Sequence, residues 1–198
     1  NPITISATTG STEYPSTKTF TVSNAQGAVT VASADTNVAT VAYNSGTVTM
    51  TPQKGDGSTV KITVTAAGGD NYNSGSKSYT LTVNPGTISV SATDKSKTYD
   101  GGALNCSISV TSPTGATVKY STDGKTYSTT VPTVTNVKDS TTIYYQVTKT
   151  NYTTNTGSFK CTVSKATNTL TLNATSGTIV YPNTGTFTIT NAQGSVTV

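Results

Sequence analysis

Residues 59–65 read TVKITVT, and their alternation is the strongest structural signal in the chain. Val60, Ile62 and Val64 fall on one side of an extended backbone, while Thr59, Lys61, Thr63 and Thr65 fall on the other. A strand with one apolar and one hydroxyl-rich face belongs to a sheet that covers a core on one side and meets water on the other. Tyr79, Leu81 and Val83 repeat the pattern shortly downstream. Between such runs lie turn signals: Asn24-Ala25-Gln26-Gly27, Asn44-Ser45-Gly46, Gly55-Asp56-Gly57 and Gly68-Gly69-Asp70.

Working outward, the pattern predicts strands near 3–7, 18–23, 28–33, 38–42, 46–51, 59–66 and 76–83. It predicts a second set near 88–92, 103–110, 116–121, 127–130, 133–137, 141–149 and 157–163. Pro113 and Pro132 interrupt the middle of the second set. Seven short strands in about 80 residues are the signature of an immunoglobulin-like β-sandwich. Composition agrees with an all-β fold: Thr and Ser make up roughly a third of the chain, Trp and His are absent, and Met occurs once. Such β-branched, hydroxyl-rich sequence suits half-solvated sheets and makes poor helix, so no long helix is expected.

The chain is also a repeat. Ile3–Val31 aligns without a gap to Leu170–Val198, sharing Tyr14/Tyr181, Pro15/Pro182, Phe20/Phe187 and the Asn-Ala-Gln-Gly turn. A weaker copy starts at Ile88, where ISVSAT precedes Tyr99 at the spacing by which ITISAT precedes Tyr14. Asn71-Tyr72 before SYTLTV corresponds to Asn151-Tyr152 before SFKCTV. The reading is therefore tandem immunoglobulin-like domains: 1–84, 85–165 with a disulfide, and 166–198 as the N-terminal part of a third that repeats 1–31. Alone, this last piece has no opposing sheet for Leu170, Leu172, Phe187, Ile189, Val196 and Val198. It reads either as the start of a further repeat in a longer array or as a half-domain completed by strands from another chain.

Residues 31–66, VASADTNVATVAYNSGTVTMTPQKGDGSTVKITVTA, resemble the group 2 type of bacterial immunoglobulin-like domain. The middle unit, with KTYDGGAL (97–104), VKYSTDGKTYSTTVPTVTNV (118–137) and IYYQVTKTNY (143–152), is similar to the Tyr-Asp-Gly type of repeat in large bacterial surface proteins. The resemblance implies a secreted or cell-surface bacterial protein, with this chain a structural stalk or spacer within an adhesin. Its expected partners are neighbouring repeats of the same chain. An adhesive domain that binds a glycan or host protein, and a filament or phage-fibre subunit, are the alternatives.

Cys106 lies in the alternation Leu104, Cys106, Ile108, Val110, and Cys161 in Phe159, Cys161, Val163, so both face the core. Their first-unit counterparts, approximately Val22 and Leu81, are an apolar pair. An intradomain disulfide contributing roughly 3 to 4 kcal/mol is expected, which implies an oxidising compartment; two buried free thiols are the alternative. No catalysis is expected, because the chain has no His, a single Glu13 and seven dispersed Asp. The same scatter argues against a metal site or a bound cofactor. In Ile143-Tyr144-Tyr145-Gln146-Val147 one ring must face out, and Tyr144, with Tyr127, is the candidate ligand contact. The twelve basic residues are lysines scattered singly, with no Arg to grip phosphate, so no nucleic acid is expected. No apolar run approaches the ~20 residues of a membrane helix. Asn105-Cys106-Ser107, Asn151-Tyr152-Thr153 and Asn173-Ala174-Thr175 have the form of glycosylation acceptors.

Overall fold

The computed structural model describes residues 1–198 and is all-β, its one helical element a single 3₁₀ turn at Val137–Asp139. The first unit contains β1 (Thr4–Ile5), β2 (Thr9–Glu13), β3 (Lys18–Ser23), β4 (Val29–Ser33), β5 (Ala39–Asn44), β6 (Thr47–Pro52), β7 (Ser58–Ala66) and β8 (Gly75–Asn84). They form two four-stranded sheets, ordered β1-β3-β6-β5 and β2-β8-β7-β4. A core of 14 buried residues lies between them. Phe20, Val22, Val48 and Met50 come from one sheet, and Val60, Ile62, Val64, Tyr79, Leu81 and Val83 from the other. Alternation is the cause: Val60, Ile62 and Val64 are buried while Thr59 and Lys61 are exposed. Each such apolar side chain contributes about 1.5–3 kcal/mol when fully buried.

The second unit contains β9 (Ser89–Ser91), β10 (Lys95–Thr98), β11 (Leu104–Asn105), β12 (Ser109–Ser112), β13 (Thr117–Ser121), β14 (Thr133–Val134), β15 (Thr141–Thr148) and β16 (Asn155–Ser164). Its main sheet is ordered β10-β16-β15-β13, with the two-stranded pairs β9-β12 and β11-β14 as its other ladders. Ile88, Cys106 and Val134 meet Ile143, Tyr145, Val147, Phe159, Cys161 and Val163 in a separate core. Both units share an immunoglobulin-like device. The first strand pairs antiparallel within one ladder (β1 with β3, β9 with β12), and the next crosses to lie parallel to the last strand (β2 with β8, β10 with β16).

Four details depart from the alternation pattern. β2 and β10 are additional strands, built largely from small and hydroxyl-bearing residues with no apolar period. The expected strand 103–110 breaks between β11 and β12, where the Cys106 N–H turns to donate to the Pro132 carbonyl at 3.0 Å. Residues 127–130 do not form a strand: they touch β13 through one bridge, Tyr120 to Ser128, because the preceding Asp123 turn leads the chain away. The expected strand 133–137 stops at Val134 and yields to the 3₁₀ turn, where the Asp139 carboxylate accepts from the backbone N–H of Asn136.

Beyond Ser164, the only ladder is β17 (Thr171–Leu172) against β18 (Ile189–Thr190). Phe187 is 50% exposed here, whereas its counterpart Phe20 is 4% exposed.

Candidate functional site

The two cores meet at a packed joint. Tyr14 follows β2, and its N–H donates to the Asn84 carbonyl at the end of β8 (3.0 Å), which holds the ring at one end of the first sandwich. Asn151-Tyr152 forms the turn between β15 and β16, with Asn151 at φ +71° and the Tyr152 N–H donating to the Lys149 carbonyl. The rings of Tyr14 and Tyr152 meet edge to face, centroids 5.5 Å apart and planes at 90°. That arrangement sets the positive edge of one ring against the negative face of the other.

Backbone surrounds the rings. The Gly86 N–H donates to the Asn151 carbonyl and the Thr153 N–H to the Gly86 carbonyl, both at 2.9 Å. Gly55, from the loop between β6 and β7, is buried against the same place. A Cβ there would stand 2.6 Å from both the Asn151 oxygen and Tyr14 Cβ, and one on Gly86 would strike the Tyr14 carbonyl and the Tyr152 ring. Only glycine permits so close an approach. Thr87 Oγ1 adds a long contact to Glu13 Oε2 at 3.5 Å.

Cys106 and Cys161 are joined by a disulfide with Cα atoms 6.1 Å apart, and both are fully buried. Cys161 sits on β16 and Cys106 on the segment between β11 and β12, so the bond crosses the second core.

Tyr144 and Tyr145 point to opposite sides of β15, 38% and 8% exposed. The Tyr144 ring lies over the turn at Gly124, where a Cβ would be 3.6 Å from three of its ring carbons. Asp123 organises that turn: its Oδ1 accepts from Ser121 Oγ (2.6 Å) and from the backbone N–H groups of Lys125 and Thr126 (2.8 Å each). The Ser121 hydroxyl foremost, then the two amides, lower its carboxyl pKa to about 2. Tyr127 is half-buried in the same loop. The ring pairs of the molecule are Tyr14–Tyr152 and Phe20–Tyr79, so Tyr127 and Tyr144 are not stacked into an aromatic platform.

The joint was not legible as a site. Tyr14 and Asn151-Tyr152 stand out in the sequence as repeat landmarks, but periodicity inside one unit says nothing about contacts with the next. Gly55 and Gly86 gave no separate signal, because Gly55-Asp56-Gly57 and Pro85-Gly86 read as ordinary turn pairs.

No family model and no curated protein sequence matches the chain. Among solved structures it is similar to the titin domains Z1Z2 in complex with telethonin, at 14% identity and a TM-score of 0.41, covering 83% of this chain and 98% of that one. The insect immune protein hemolin matches at 12% identity and a TM-score of 0.39, covering 81% and 45%. The tandem Ig repeats of Dlar match at 10% identity and a TM-score of 0.31, covering 83% and 99%. The chain is an all-β tandem of immunoglobulin-like sandwiches.

Proposed function

We propose that this chain is a stalk or spacer segment of a secreted or cell-surface bacterial protein, part of an adhesin, organised as units 1–84, 85–165 and 166–198. The observation that carries the reading is the joint. The two units meet through a ring pair, the close approach of Gly55 to the Asn151 carbonyl and of Gly86 to the Tyr14 carbonyl, and the Thr87–Glu13 contact, with no free linker between Asn84 and Gly86. A joint packed this way resists bending, which suits a part whose job is to hold something at a distance. Each sandwich spans about 35 Å at ~3.3 Å per residue. The buried disulfide supports an oxidising, extracellular location. No helix is long and apolar enough to cross a membrane. Acid–base catalysis finds no His and only dispersed acids, so the reading is non-enzymatic.

Small-angle scattering on the chain tests this. An elongated particle of roughly 70 Å or more is expected. A radius of gyration near ~16 Å, the value for one compact globule of this length, would overturn the proposal. Gly55→Val should pry the joint open and broaden the distance distribution while both sandwiches stay folded.

A second reading, adhesion, rests on the exposed Tyr144 ring over the Gly124 turn. A half-exposed tyrosine beside a rigid turn offers a face for a sugar ring or a protein side chain. Glycan-array binding lost in Tyr144→Ala and Tyr127→Ala would support it, and no binding across a broad panel would leave the spacer.

A further inference from the structure

The net charge of +4 lies in one part of the chain. Residues 85–165 hold eight lysines and four aspartates, whereas residues 1–84 hold four lysines and four acids, and residues 166–198 hold neither. Strand register shows where the two units differ. On the outer face of the first unit, Thr63 of β7 faces Ser78 of β8, Thr30 of β4 faces Thr65, and Thr80 of β8 faces Lys61. The middle unit builds the same lattice with Tyr144 facing Ser158, Lys119 facing Gln146 and Lys160 facing Thr142. With SFKCTV laid on SYTLTV, Lys119, Tyr144 and Lys160 stand where the first unit has Thr30, Thr63 and Thr80. Three hydroxyls are replaced by a cation, an aromatic ring and a second cation.

Lys119 and Lys160 each stand diagonally from Tyr144, on the strands to either side of β15, so the three form a line across the sheet. Diagonal neighbours on one face are about 7–8 Å apart, within reach of long side chains. All three are exposed. Neither lysine is in an ion pair, the salt bridges of the molecule being Lys54–Asp56 and Lys97–Asp100. Asp94, Asp123 and Asp139 border the face from loops at the strand ends, where their carboxylates accept from the Lys160 N–H, the Ser121 hydroxyl and the Asn136 side chain. Beside Lys160, the residues Ser140, Thr141, Thr142 and Thr162 line a shallow recess of about 350 Å³ that holds neither an apolar side chain nor an acid.

We propose that this face binds a polysaccharide of uronic acids, with one sugar ring against Tyr144 and carboxylates at Lys119 and Lys160. The proposal rests on the adhesive reading and names its ligand class. A pyranose offers C–H groups to an aromatic ring and hydroxyls around its edge, which the Gln146 amide and the hydroxyls of Ser158 and the recess can meet. A uronic acid carries its carboxylate directly on the sugar ring, so stacking surface and negative charge arrive together, a short step apart, as the lattice sets Tyr144 and its two lysines. Nucleic acid fits this face less well, because successive bases call for successive aromatic rings and the chain has no Arg for phosphate.

The test is fluorescence anisotropy of a labelled oligogalacturonate titrated with the full chain, with unlabelled oligogalacturonate, dextran, dextran sulfate and duplex DNA as competitors. Binding is expected, and Tyr144→Ala should weaken it by about 10-fold while Tyr144→Phe keeps it within about 2-fold. Lys119→Gln and Lys160→Gln should each weaken it by about 2- to 5-fold, less at high salt, whereas Lys61→Gln on the corresponding face of the first unit should change nothing. An equal loss in Lys61→Gln would mean attraction by net charge alone and overturn the proposal, as would displacement by duplex DNA at the same concentration of charge. Dextran displacing the probe as well as unlabelled oligogalacturonate, with Tyr144→Ala still weakening binding, would overturn the anionic class and leave the adhesive reading in place. Stronger displacement by dextran sulfate would assign the face to sulfate esters and overturn the uronate. If Tyr144→Ala loosens the Gly124 turn, Lys160→Gln on the opposite strand decides by itself, and an unchanged affinity there overturns the proposal. Absence of binding also overturns it, and the neutral glycans of the array then decide the adhesive reading separately.

Discussion

FTVSNAQGAVTV at 20–31 and FTITNAQGSVTV at 187–198 are nearly the same words in two settings. In the first, Phe20 and Val22 are buried and β3 extends over six residues, Lys18–Ser23. In the second, Phe187 is half exposed and the matching strand has shrunk to Ile189–Thr190. The turn, its left-handed asparagine and the short ladder survive in both. The turn is set by side chains a few residues apart, and the ladder by one short strand just upstream. Strand length and burial are not local; they come from β6, β7 and β8, which only the first setting supplies. The pair separates what about thirty residues, the phrase together with its short upstream partner strand, specify from what the rest of a sandwich adds.

The sharpest way to break this comparison is to truncate the shared phenylalanine. Phe20→Ala should destabilise the first unit by about 3–5 kcal/mol, since it leaves a cavity against Tyr79. Phe187→Ala should change neither unit's unfolding free energy in urea by more than ~0.5 kcal/mol, the usual effect at an exposed position. Equal effects would mean that the two settings are not different after all. Next in size is the disulfide of the middle unit, which marks which transition belongs to which region. Reduction should lower the middle unit's stability by roughly 3 to 4 kcal/mol and leave the first unit's midpoint in place. A shared shift would mean that the cores unfold together across the joint.

Smaller again is the turn itself. Asn24→Ala forces an alanine into φ +58° and should cost the first unit about 1 kcal/mol, while Asn191→Ala should alter only the local amide shifts of its hairpin. The smallest effect is acid. Asp56, paired with Lys54 at 2.6 Å and accepting from the Ser58 N–H, has its pKa lowered to about 2, and Asp123 likewise. Because both lie below the ordinary 3.8, the unfolded chain takes up these protons first as pH falls. The stability they add is complete above about pH 4 and is lost between there and pH 2. Both sites are exposed, so salt should blunt the effect. Melts of Asp56→Asn and Asp123→Asn should show a flatter acid limb for the first and middle units respectively. Residues 166–198 hold no acidic side chain, so away from the α-carboxyl of Val198 their spectrum should not change across that window.

Much of the architecture was legible because the core strands alternate cleanly. β3, β6, β7 and β8 place an apolar residue at every second position, and the burial follows. β2 escaped because TGSTE has no apolar face to read; it is held by backbone pairing to β8, with Gly10 lying close under the Tyr79 hydroxyl. Residues 127–130 misled for the opposite reason, as YSTT has the β-branched and aromatic composition of a strand but follows a turn locked by Asp123. Tyr144 was placed outward and Tyr145 inward by the same alternation, and the structure has them so. The joint was invisible, since Tyr14 and Tyr152 are far apart in sequence and each looks like an ordinary half-buried tyrosine of its own unit.

The parallel pairs have a consequence under load. A force applied along the chain first meets the short β1 and β9, and then the strand that lies beside the one through which it leaves: β2 along β8, and β10 along β16. Pulled from opposite ends, two parallel neighbours are sheared, so their hydrogen bonds resist together instead of unzipping one after another. When β2 slips, nothing checks the first unit from drawing out. When β10 slips, the pull reaches Cys106 and jumps through sulfur to Cys161, bypassing the 55 residues of separation between them. At ~3.3 to 3.6 Å per residue that bond withholds roughly 180 to 200 Å. Reduction would return that length, making the middle unit a tether whose reach is set by the redox state of its surroundings.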